Sequence, residues 1–259
     1  MEIKAYLERI GISDEKIIPS YESLLKLQRA HLFTVPYENI DCLSTEPLSL
    51  KISDLYEKVV IKKRGGFCFE LNRLFEDLLK SLGFQAKSYF ARFWRDEEGI
   101  PIRRHRVVEV TLDGKKYICD VGIGAVCPRF PLLLSEGLIQ EDFGESYKFI
   151  YEEKYGWVLY EYRHAQWQRY FSFTTEMTTE EDFEVITHFC QTHPKSKFNK
   201  KLMVALKTPD GRRSIDTNTY KEFVGKSLTY IEENMNEDRL SEILIEKFGI
   251  RITENLKLK

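Results

Sequence analysis

One cysteine stands where its thiol could act as a nucleophile. Cys68 lies in the segment RGGFCFELN, after the cationic residues 62–64 and the glycine pair 65–66. Glycine commonly follows the last turn of a helix, and apolar residues at helical spacing begin just after Cys68. The thiol would then lie in the first turn of a helix, where free N–H groups and the helix dipole favour thiolate. Nearby Arg64 is expected to lower the thiol pKa further.

A cysteine nucleophile needs a base and a third group that orients the base. Without them, a cysteine between two phenylalanines is usually a small buried apolar residue. The segment RRHRVVEVTLDGKKYICDV predicts two strands joined by Asp113-Gly114, a strong hairpin signal. A two-residue loop places His105 and Asp120 on one face as diagonal neighbours, roughly 7 to 8 Å apart at the backbone. The spacing therefore predicts a histidine–carboxylate pair.

The elements that must position these residues change character at Gly83. Before it, apolar residues recur at helical spacing, and Ser20 and Pro36 are start and stop signals for one of the helices. Four helices are predicted. The first starts near Met1, the second runs from Ser20 towards Pro36, the third from Ser53 or Asp54 to Arg64, and the fourth from near Cys68 to Gly83.

After Gly83 the apolar period changes to two, which is typical of strands. Beyond the hairpin, three aromatic-rich strands are predicted over 147–154, 156–163 and 166–174, with turns between them. Thr178 with Glu181 predicts a capping box before a short helix. The segment KLMVALKT then predicts one more strand, followed by a turn at Pro209-Asp210-Gly211 and a charged final helix that uses Leu240, Ile243, Leu244 and Phe248.

Composition excludes several classes of protein. The 259 residues are 42% hydrophobic with a formal charge of -2, which indicates a globular chain without an electrostatic footprint for nucleic acid. The first residues, MEIKAYLERIG, are expected to form a short amphipathic helix rather than a secretory signal, and no apolar run approaches the length of a membrane span. Five cysteines without a CxxC motif favour a reducing cytoplasm over a disulfide framework. His188 and Cys190 would not share a helix face, so we expect no metal site there.

Several separated motifs resemble those of the arylamine N-acetyltransferases. The segments HLFTVPYENI, RGGFCFELN and HRVVEVTLDGKKYICDVGIG follow in the family's order and at similar separations. The later segments WVLYEYR, DFEVITHFCQTHPKSKF and ALKTPDGRR extend the resemblance from about residue 1 to about residue 220. Agreement at several independent places makes the resemblance specific.

The resemblance implies an α+β fold in three parts around a Cys-His-Asp core like that of cysteine proteases and transglutaminases. These parts are an N-terminal helical bundle (1–84), a central antiparallel β-barrel (85–192) and a C-terminal α/β lid (193–259). The family's catalytic triad falls on Cys68, His105 and Asp120. Its members transfer acetyl from acetyl-CoA, a substrate rather than a bound cofactor, through a cysteine thioester to arylamines, arylhydrazines or arylhydroxylamines.

The resemblance also implies a substrate pocket. Gly122 and Gly124 would form a flexible loop whose backbone N–H groups approach the phosphates of CoA. Tyr37 stands where phenylalanine is common in the family, and Ile123 stands where many members have an aromatic residue. Both differences indicate an altered acceptor pocket, in which an ordinary arylamine would be a poor substrate.

Charged residues near the motifs have two expected roles. Glu38 and Arg64 are expected to pair and hold the cysteine loop in place, a structural role. Arg103, Arg104 and Arg106 flank the histidine, where they would either meet CoA phosphates or form a solvated strand edge.

Three other functions stay open from the sequence. The first is an amide synthase of natural-product biosynthesis that uses the same triad. The second is a thiol hydrolase with water or a protein amine as acceptor. The third is a binding module that keeps the fold without activity. The physiological acceptor, the acyl-chain preference and the oligomeric state stay open as well.

Overall fold

The computed structural model describes residues 1–12 and 16–252. Within these ranges a helical N-terminal region leads into an eight-stranded antiparallel sheet. A five-stranded antiparallel sheet and a final helix complete the fold. The predicted α+β architecture, with a bundle, a barrel and a C-terminal sheet, is therefore confirmed.

Within residues 1–12 and 16–84, the N-terminal region holds four α-helices, one short strand and a 3₁₀ turn at Ile40–Leu43. Ser20 caps the second helix, because its side chain accepts a hydrogen bond from the N–H of Ser23 at 3.1 Å. Buried faces of these helices share one apolar core, which includes Leu24, Leu27, Leu71 and Leu74. The elements are α1 (Ile3–Arg9), α2 (Tyr21–Thr34), β1 (Tyr37–Glu38), α3 (Ile52–Tyr56), its π-helical extension (Glu57–Ile61) and α4 (Cys68–Ser81).

The eight-stranded sheet curls into a nearly closed barrel. Its outermost strands approach each other through Gln140, whose side-chain carbonyl accepts from the N–H of Leu133 at 2.7 Å and whose amide donates to the Leu133 carbonyl at 3.0 Å. The strands are β2 (Gln85–Phe93), β3 (Arg103–Leu112), β4 (Lys115–Cys119), β5 (Leu132–Leu133), β6 (Gln140–Asp142), β7 (Glu145–Glu152), β8 (Gly156–Arg163) and β9 (Gln166–Phe173). Their spatial order in the sheet is β5-β4-β3-β2-β9-β8-β7-β6.

The β3–β4 hairpin has the predicted register. Leu112 pairs with Lys115, so the loop contains two residues. These residues, Asp113 and Gly114, have φ angles of 48° and 72°, as the type I′ turn of a tight hairpin requires. The meander β7–β8–β9 also has its predicted strands and turns.

Helix α5 (Glu180–Thr192) begins one residue later than the predicted capping box implies. Thr179 is the N-cap, and its N–H donates to the carboxylate of Asp182 at 2.9 Å. The predicted box of Thr178 with Glu181 is wrong because the hydroxyl of Thr178 donates to the carbonyl of Ser88 at 2.8 Å instead. A bond to the barrel therefore sets the start of the helix.

The C-terminal sheet includes a strand from the N-terminal region. Its own elements are β10 (Met203–Lys207), β11 (Gly211–Asp216), β12 (Thr219–Val224), β13 (Ser227–Glu232) and the final helix α6 (Glu237–Phe248). Strand β1 pairs with β10, with Tyr37 opposite Ala205, so the sheet links the first and third of the expected units. The sequence predicted β10 and α6 but not β11 to β13. The domain boundaries stay a prediction, and residues 253–259 lie outside the described residues.

All five cysteines are buried free thiols. No helix within residues 1–12 and 16–252 has the length and apolar character needed to cross a membrane.

Candidate active site

Helix α4 begins at Cys68, as the sequence predicted. The preceding residue, Phe67, is the N-cap, and its N–H donates to the carboxylate of Glu70 at 3.0 Å, which closes the first turn. Cys68 is only 3% exposed. Its thiol donates a long hydrogen bond to the backbone carbonyl of Arg104, 3.8 Å away on strand β3. The helix start therefore packs directly against the strand that carries His105.

The predicted lowering of the Cys68 pKa by its surroundings is wrong. Burial raises the pKa of this thiol well above its ordinary value, and the charge of Asp120 acts in the same direction. The backbone N–H of Phe69 and the guanidinium of Arg104 lower the pKa, but these effects are smaller. The position of Cys68 at the helix start is therefore not enough to form the thiolate. A neighbouring base must accept the proton of the thiol before Cys68 can react.

Arg64 belongs to a cluster of charges behind the cysteine loop. Its guanidinium donates to Glu38 at 2.7 Å, the pair expected from the sequence, and to Asp41 at 2.8 Å. Lys58 contacts Asp41 and Glu70, both at 2.7 Å. Burial alone would raise the pKa of Asp41, but Lys58 and Arg64 together lower it to about 2. Arg64 is thus neutralised by carboxylates, which explains why it does not activate the thiol.

His105 and Asp120 form the contact that the hairpin register predicted. The imidazole Nε2 lies 2.7 Å from Asp120 Oδ2, and the two side chains are only 3% and 2% exposed. A carboxylate can only accept here, so Nε2 carries the hydrogen and Nδ1 is left as the basic nitrogen. The pair can therefore serve as an oriented base.

Asn72, which the sequence analysis did not identify, holds the other oxygen of Asp120. Its side-chain amide donates to Asp120 Oδ1 at 3.0 Å, and Gly122 N–H donates to the same oxygen at 2.8 Å. The thiol of Cys127 lies 3.9 Å from it. Asn72 follows Cys68 by four residues, so both occupy one face of α4. That spacing is the signal that could have identified Asn72.

The two glycines after Asp120 are required by close packing. A Cβ atom on Gly122 would lie 2.5 Å from Asn72 Nδ2 and 2.7 Å from the Cα of Cys68. Gly124 has a φ of +60°, and its Cβ would lie 2.7 Å from that of Tyr37. Both glycines thus let the loop lie against its neighbours, while their expected role in substrate binding stays a prediction.

A cavity of about 230 Å³ opens beside Cys68 and His105. Tyr37, Ile123 and Gly122, three of the expected pocket residues, all line it, whereas Gly124 does not. The apolar part of the wall consists of Tyr37, Phe93, Ile123, Phe198 and Met203, and the charged part of Glu97, Arg104 and Lys197.

Arg106 is not available to a phosphate. Its side chain is fully buried, and its guanidinium donates to Glu76 at 2.7 Å and to Glu180 at 2.9 Å. Arg103 contacts Glu176 at 2.7 Å. Both roles left open for Arg106, a phosphate contact and a solvated strand edge, are therefore wrong. Its buried charge holds α4, β3 and α5 together.

The residues around His188, Cys190 and His193 show no metal-binding geometry. Cys190 is buried, and the ring of His193 stacks on Phe189 at 4.3 Å. In the part of the chain that the structure describes, no cluster of three or more histidine, cysteine or acidic side chains could hold a metal ion.

Comparison with known proteins identifies the family. A family model described as N-acetyltransferase matches residues 20–257. An arylamine N-acetyltransferase of Mycobacterium tuberculosis is 31% identical to this chain over 266 aligned positions, and the alignment covers 98% of the chain and 91% of that protein. The chain belongs to the arylamine N-acetyltransferase family.

Other arylamine N-acetyltransferases agree in sequence and in structure. The Salmonella typhimurium arylamine N-acetyltransferase / N-hydroxyarylamine O-acetyltransferase is 30% identical, covering 92% of this chain and 85% of that protein. The solved Salmonella typhimurium arylamine N-acetyltransferase superposes with a TM-score of 0.90 at 27% identity, covering 96% and 90% of the two chains. The Mycobacterium marinum arylamine N-acetyltransferase in complex with CoA gives 0.87 at 28% identity, covering 96% and 93%. As an arylamine N-acetyltransferase, this chain is an acyltransferase enzyme.

Proposed function

We propose that this enzyme transfers acetyl from acetyl-CoA to aromatic amines, hydrazines or hydroxylamines through a thioester on Cys68. The observation that carries the proposal is the buried His105–Asp120 pair beside a cavity that both Cys68 and His105 line. His105 lies on the strand against which the start of α4 packs. Cysteine, base and orienting carboxylate are the three groups that nucleophilic acyl transfer needs.

In the loading step, Cys68 attacks the acetyl carbonyl of acetyl-CoA while its proton moves to His105 Nδ1. Asp120 stabilises the imidazolium that forms, because the carboxylate accepts the hydrogen bond from Nε2. The tetrahedral intermediate then expels the CoA thiolate, which takes the proton from His105. One thioester replaces another, so loading is close to neutral in free energy.

In the transfer step, the amine nitrogen attacks the carbonyl of the acetyl-cysteine. His105 accepts the proton from the nitrogen, and the departing Cys68 sulfur recovers a proton from the imidazolium. The amide forms, and the resting thiol returns. We further infer that the reaction takes place in the cytoplasm, because five free thiols suit a reducing compartment.

Mass spectrometry of the intact protein tests this proposal. Mixed with acetyl-CoA and no acceptor, the wild type is expected to gain one acetyl group, and addition of an arylamine is expected to discharge it. Cys68→Ala should gain none, whereas Cys190→Ala, which also removes a buried thiol, should still be acetylated. An adduct that persists in Cys68→Ala would contradict the assignment of the nucleophile.

The same experiment separates the other functions. Steady CoA release without any amine would indicate a thiol hydrolase. An adduct that forms only with larger acyl thioesters would indicate an amide synthase. Absence of any adduct with every thioester would indicate a binding module.

A further inference from the structure

The outermost strand of the C-terminal sheet, β13, has an open edge. The order β1-β10-β11-β12-β13 places it at the end of the sheet, and within residues 1–12 and 16–252 no strand pairs with its outer side. Residues 227–231 are all exposed. An edge strand presents backbone N–H and C=O groups that can pair with another chain. The edge of β13 is therefore a candidate interaction surface.

The inner face of this part of the sheet covers helix α6. The ring of Tyr220 on β12 is fully buried and lies 6.0 Å from the ring centre of Phe248 on the helix. Neighbouring residues of a strand point to opposite faces. The side chains of Lys221 and Phe223, which alternate with that of Tyr220, therefore point to the outer face.

Two apolar side chains of β13 share this outer face. Leu228 pairs with Phe223, and Ile231 pairs with Lys221. Residues three positions apart normally point to opposite faces, but a bulge in the register after Glu222 brings these two to the same side. Leu228 is 48% exposed and Ile231 is 43% exposed. Strand β13 thus carries an exposed apolar pair beside its open edge.

Charges of opposite sign flank the apolar pair. Lys226 lies in the turn before β13, Glu233 follows the strand, and both are exposed, while residues 227–231 carry no charge. The midpoint of residues 226–233 lies at the centre of the strand. Antiparallel pairing of two copies about this point brings Lys226 of each copy to Glu233 of the other. Leu228 of each copy likewise meets Ile231 of the other, so every contact occurs twice, as a two-fold interface requires.

We propose that β13 pairs antiparallel with β13 of a second copy of this chain, so that the two C-terminal sheets join into one. A second copy is the fitting occupant because the segment complements itself both in charge and in apolar contact. The segment is short, so we expect a reversible dimer with a dissociation constant in the micromolar range. None of these residues lines the cavity beside Cys68, so the inference does not depend on the proposed acetyl transfer.

Sedimentation equilibrium of the full chain across the micromolar range tests the dimer. Lys226→Glu and Glu233→Lys should each weaken dimerisation at least about tenfold, because each replaces two attractive pairs with two repulsive ones. An equal mixture of the two variants should form the dimer again. The two changed side chains then face each other, and the two unchanged ones do the same.

Two further variants complete the test. Lys115→Glu makes the same charge change at an exposed lysine after the β3–β4 turn and should dimerise like the wild type. Ile231→Lys places a charge in the apolar pair and should remain monomeric. Its thermal transition should match that of the wild type, because the side chain is exposed.

A wild type that stays monomeric at every concentration would overturn the proposal. A dimer that resists the changes at Lys226, Glu233 and Ile231 would do the same, since another surface would then hold it together. Failure of the mixed variants to dimerise would contradict the antiparallel arrangement. Dimerisation only after removal of residues 253–259 would also overturn the proposal, because the C-terminal residues of the chain would then be the occupant in the intact protein.

Discussion

At the scale of single residues, Asp120 is held by both of its carboxylate oxygens. One accepts from His105, and the other accepts from Asn72 and Gly122 N–H. The carboxylate therefore cannot rotate, and the imidazole keeps Nδ1 as its basic nitrogen. The orientation of the His105 imidazole is therefore already set before any substrate binds.

Replacement of Asp120 by Asn tests this orientation. The amide has nearly the same shape, but it can present an N–H group to His105 Nε2, which favours the tautomer with hydrogen on the wrong nitrogen. We expect the rate of Cys68 acetylation to fall by about 10² to 10⁴. Rapid-quench mass spectrometry measures that rate.

Asp113→Asn is the matched control, since it makes the same chemical change in the turn of the same hairpin, where asparagine is well tolerated. It should keep the wild-type rate. If Asp120→Asn also stayed within a few fold of the wild type, the orienting role of Asp120 would be contradicted.

Residue types and spacing predicted the His105–Asp120 contact, but they predicted the wrong pKa shift for Cys68. Motif proximity suggested that Arg64 would act on the thiol. In the structure Glu38 and Asp41 surround Arg64, and burial dominates at Cys68. Desolvation depends on atoms from distant segments, so the sequence near a residue does not reveal it.

At the scale of elements, local signals predict structure where tertiary contacts do not compete with them. The β3–β4 turn follows from Asp113-Gly114 alone. At α5 the sequence predicted a cap of Thr178 with Glu181, whereas the structure has a second one, Thr179 with Asp182. The bond from Thr178 to the barrel selects the second, and a local pattern cannot show this choice.

Three elements meet at Arg106, and this contact makes stability depend on pH. Burial alone would raise the pKa of Glu76, but the charge of Arg106 and hydrogen bonds from Lys80, Ser88 and Arg106 together lower it to about 2. A carboxyl group with a lowered folded-state pKa stabilises the fold fully above its unfolded pKa of about 4.3 and loses this effect as pH falls towards 2. We therefore expect the free energy of unfolding to decrease as the pH is lowered from about 5 to about 2.

Glu76→Gln should flatten this dependence and should destabilise the enzyme at pH 7, because Arg106 keeps only its partner Glu180 among the carboxylates. The expected loss is about 3 kcal/mol, at the lower end of the range for a broken buried ion pair. Urea unfolding at several pH values measures both effects. Glu153→Gln, at an exposed position, should retain the wild-type curve; an equally steep curve in Glu76→Gln would contradict the assignment.

At the scale of the whole molecule, the C-terminal sheet is part of the active-site region. Asn39 donates to the carbonyls of Phe198 and Lys201 and accepts from the N–H of Met203, at 2.7 to 2.8 Å. Phe198 and Met203 in turn line the cavity. Lys207 contacts Glu145 of the barrel at 2.7 Å. Residues far apart in sequence thus complete one site.

A chain that ends at Thr192 should consequently fail to form the active site. Strand β1 would lose its partner, and the core beneath the C-terminal sheet would be absent. We expect this fragment to lack a cooperative thermal transition and acetyl loading, measured by circular dichroism and mass spectrometry. Addition of residues 193–259 as a separate chain is expected to restore part of the thermal transition and part of the acetyl loading. Normal acetylation of the fragment alone would contradict this account.

Long-range pairing is also the part of the fold that the sequence predicted least. Strand β1 has only two residues, too few for a periodic pattern, and its partner lies more than 160 positions away. Strands β11 to β13 follow a predicted turn, but they alternate charged and apolar residues without a clear core face. The positions of these strands cannot be predicted until the positions of β10 and α6 are known.

The burial of every cysteine has a practical consequence for studies of motion. Four cysteines besides Cys68 are buried in different regions of the fold. Cys42 lies in the helical region, Cys119 in the barrel, Cys127 in the loop after Asp120 and Cys190 in helix α5. A thiol-labelling reagent can reach them only when the surrounding structure opens. The enzyme therefore carries four native reporters of local unfolding. Labelling rates in a Cys68→Ala background would rank these regions by opening frequency, without any introduced probe.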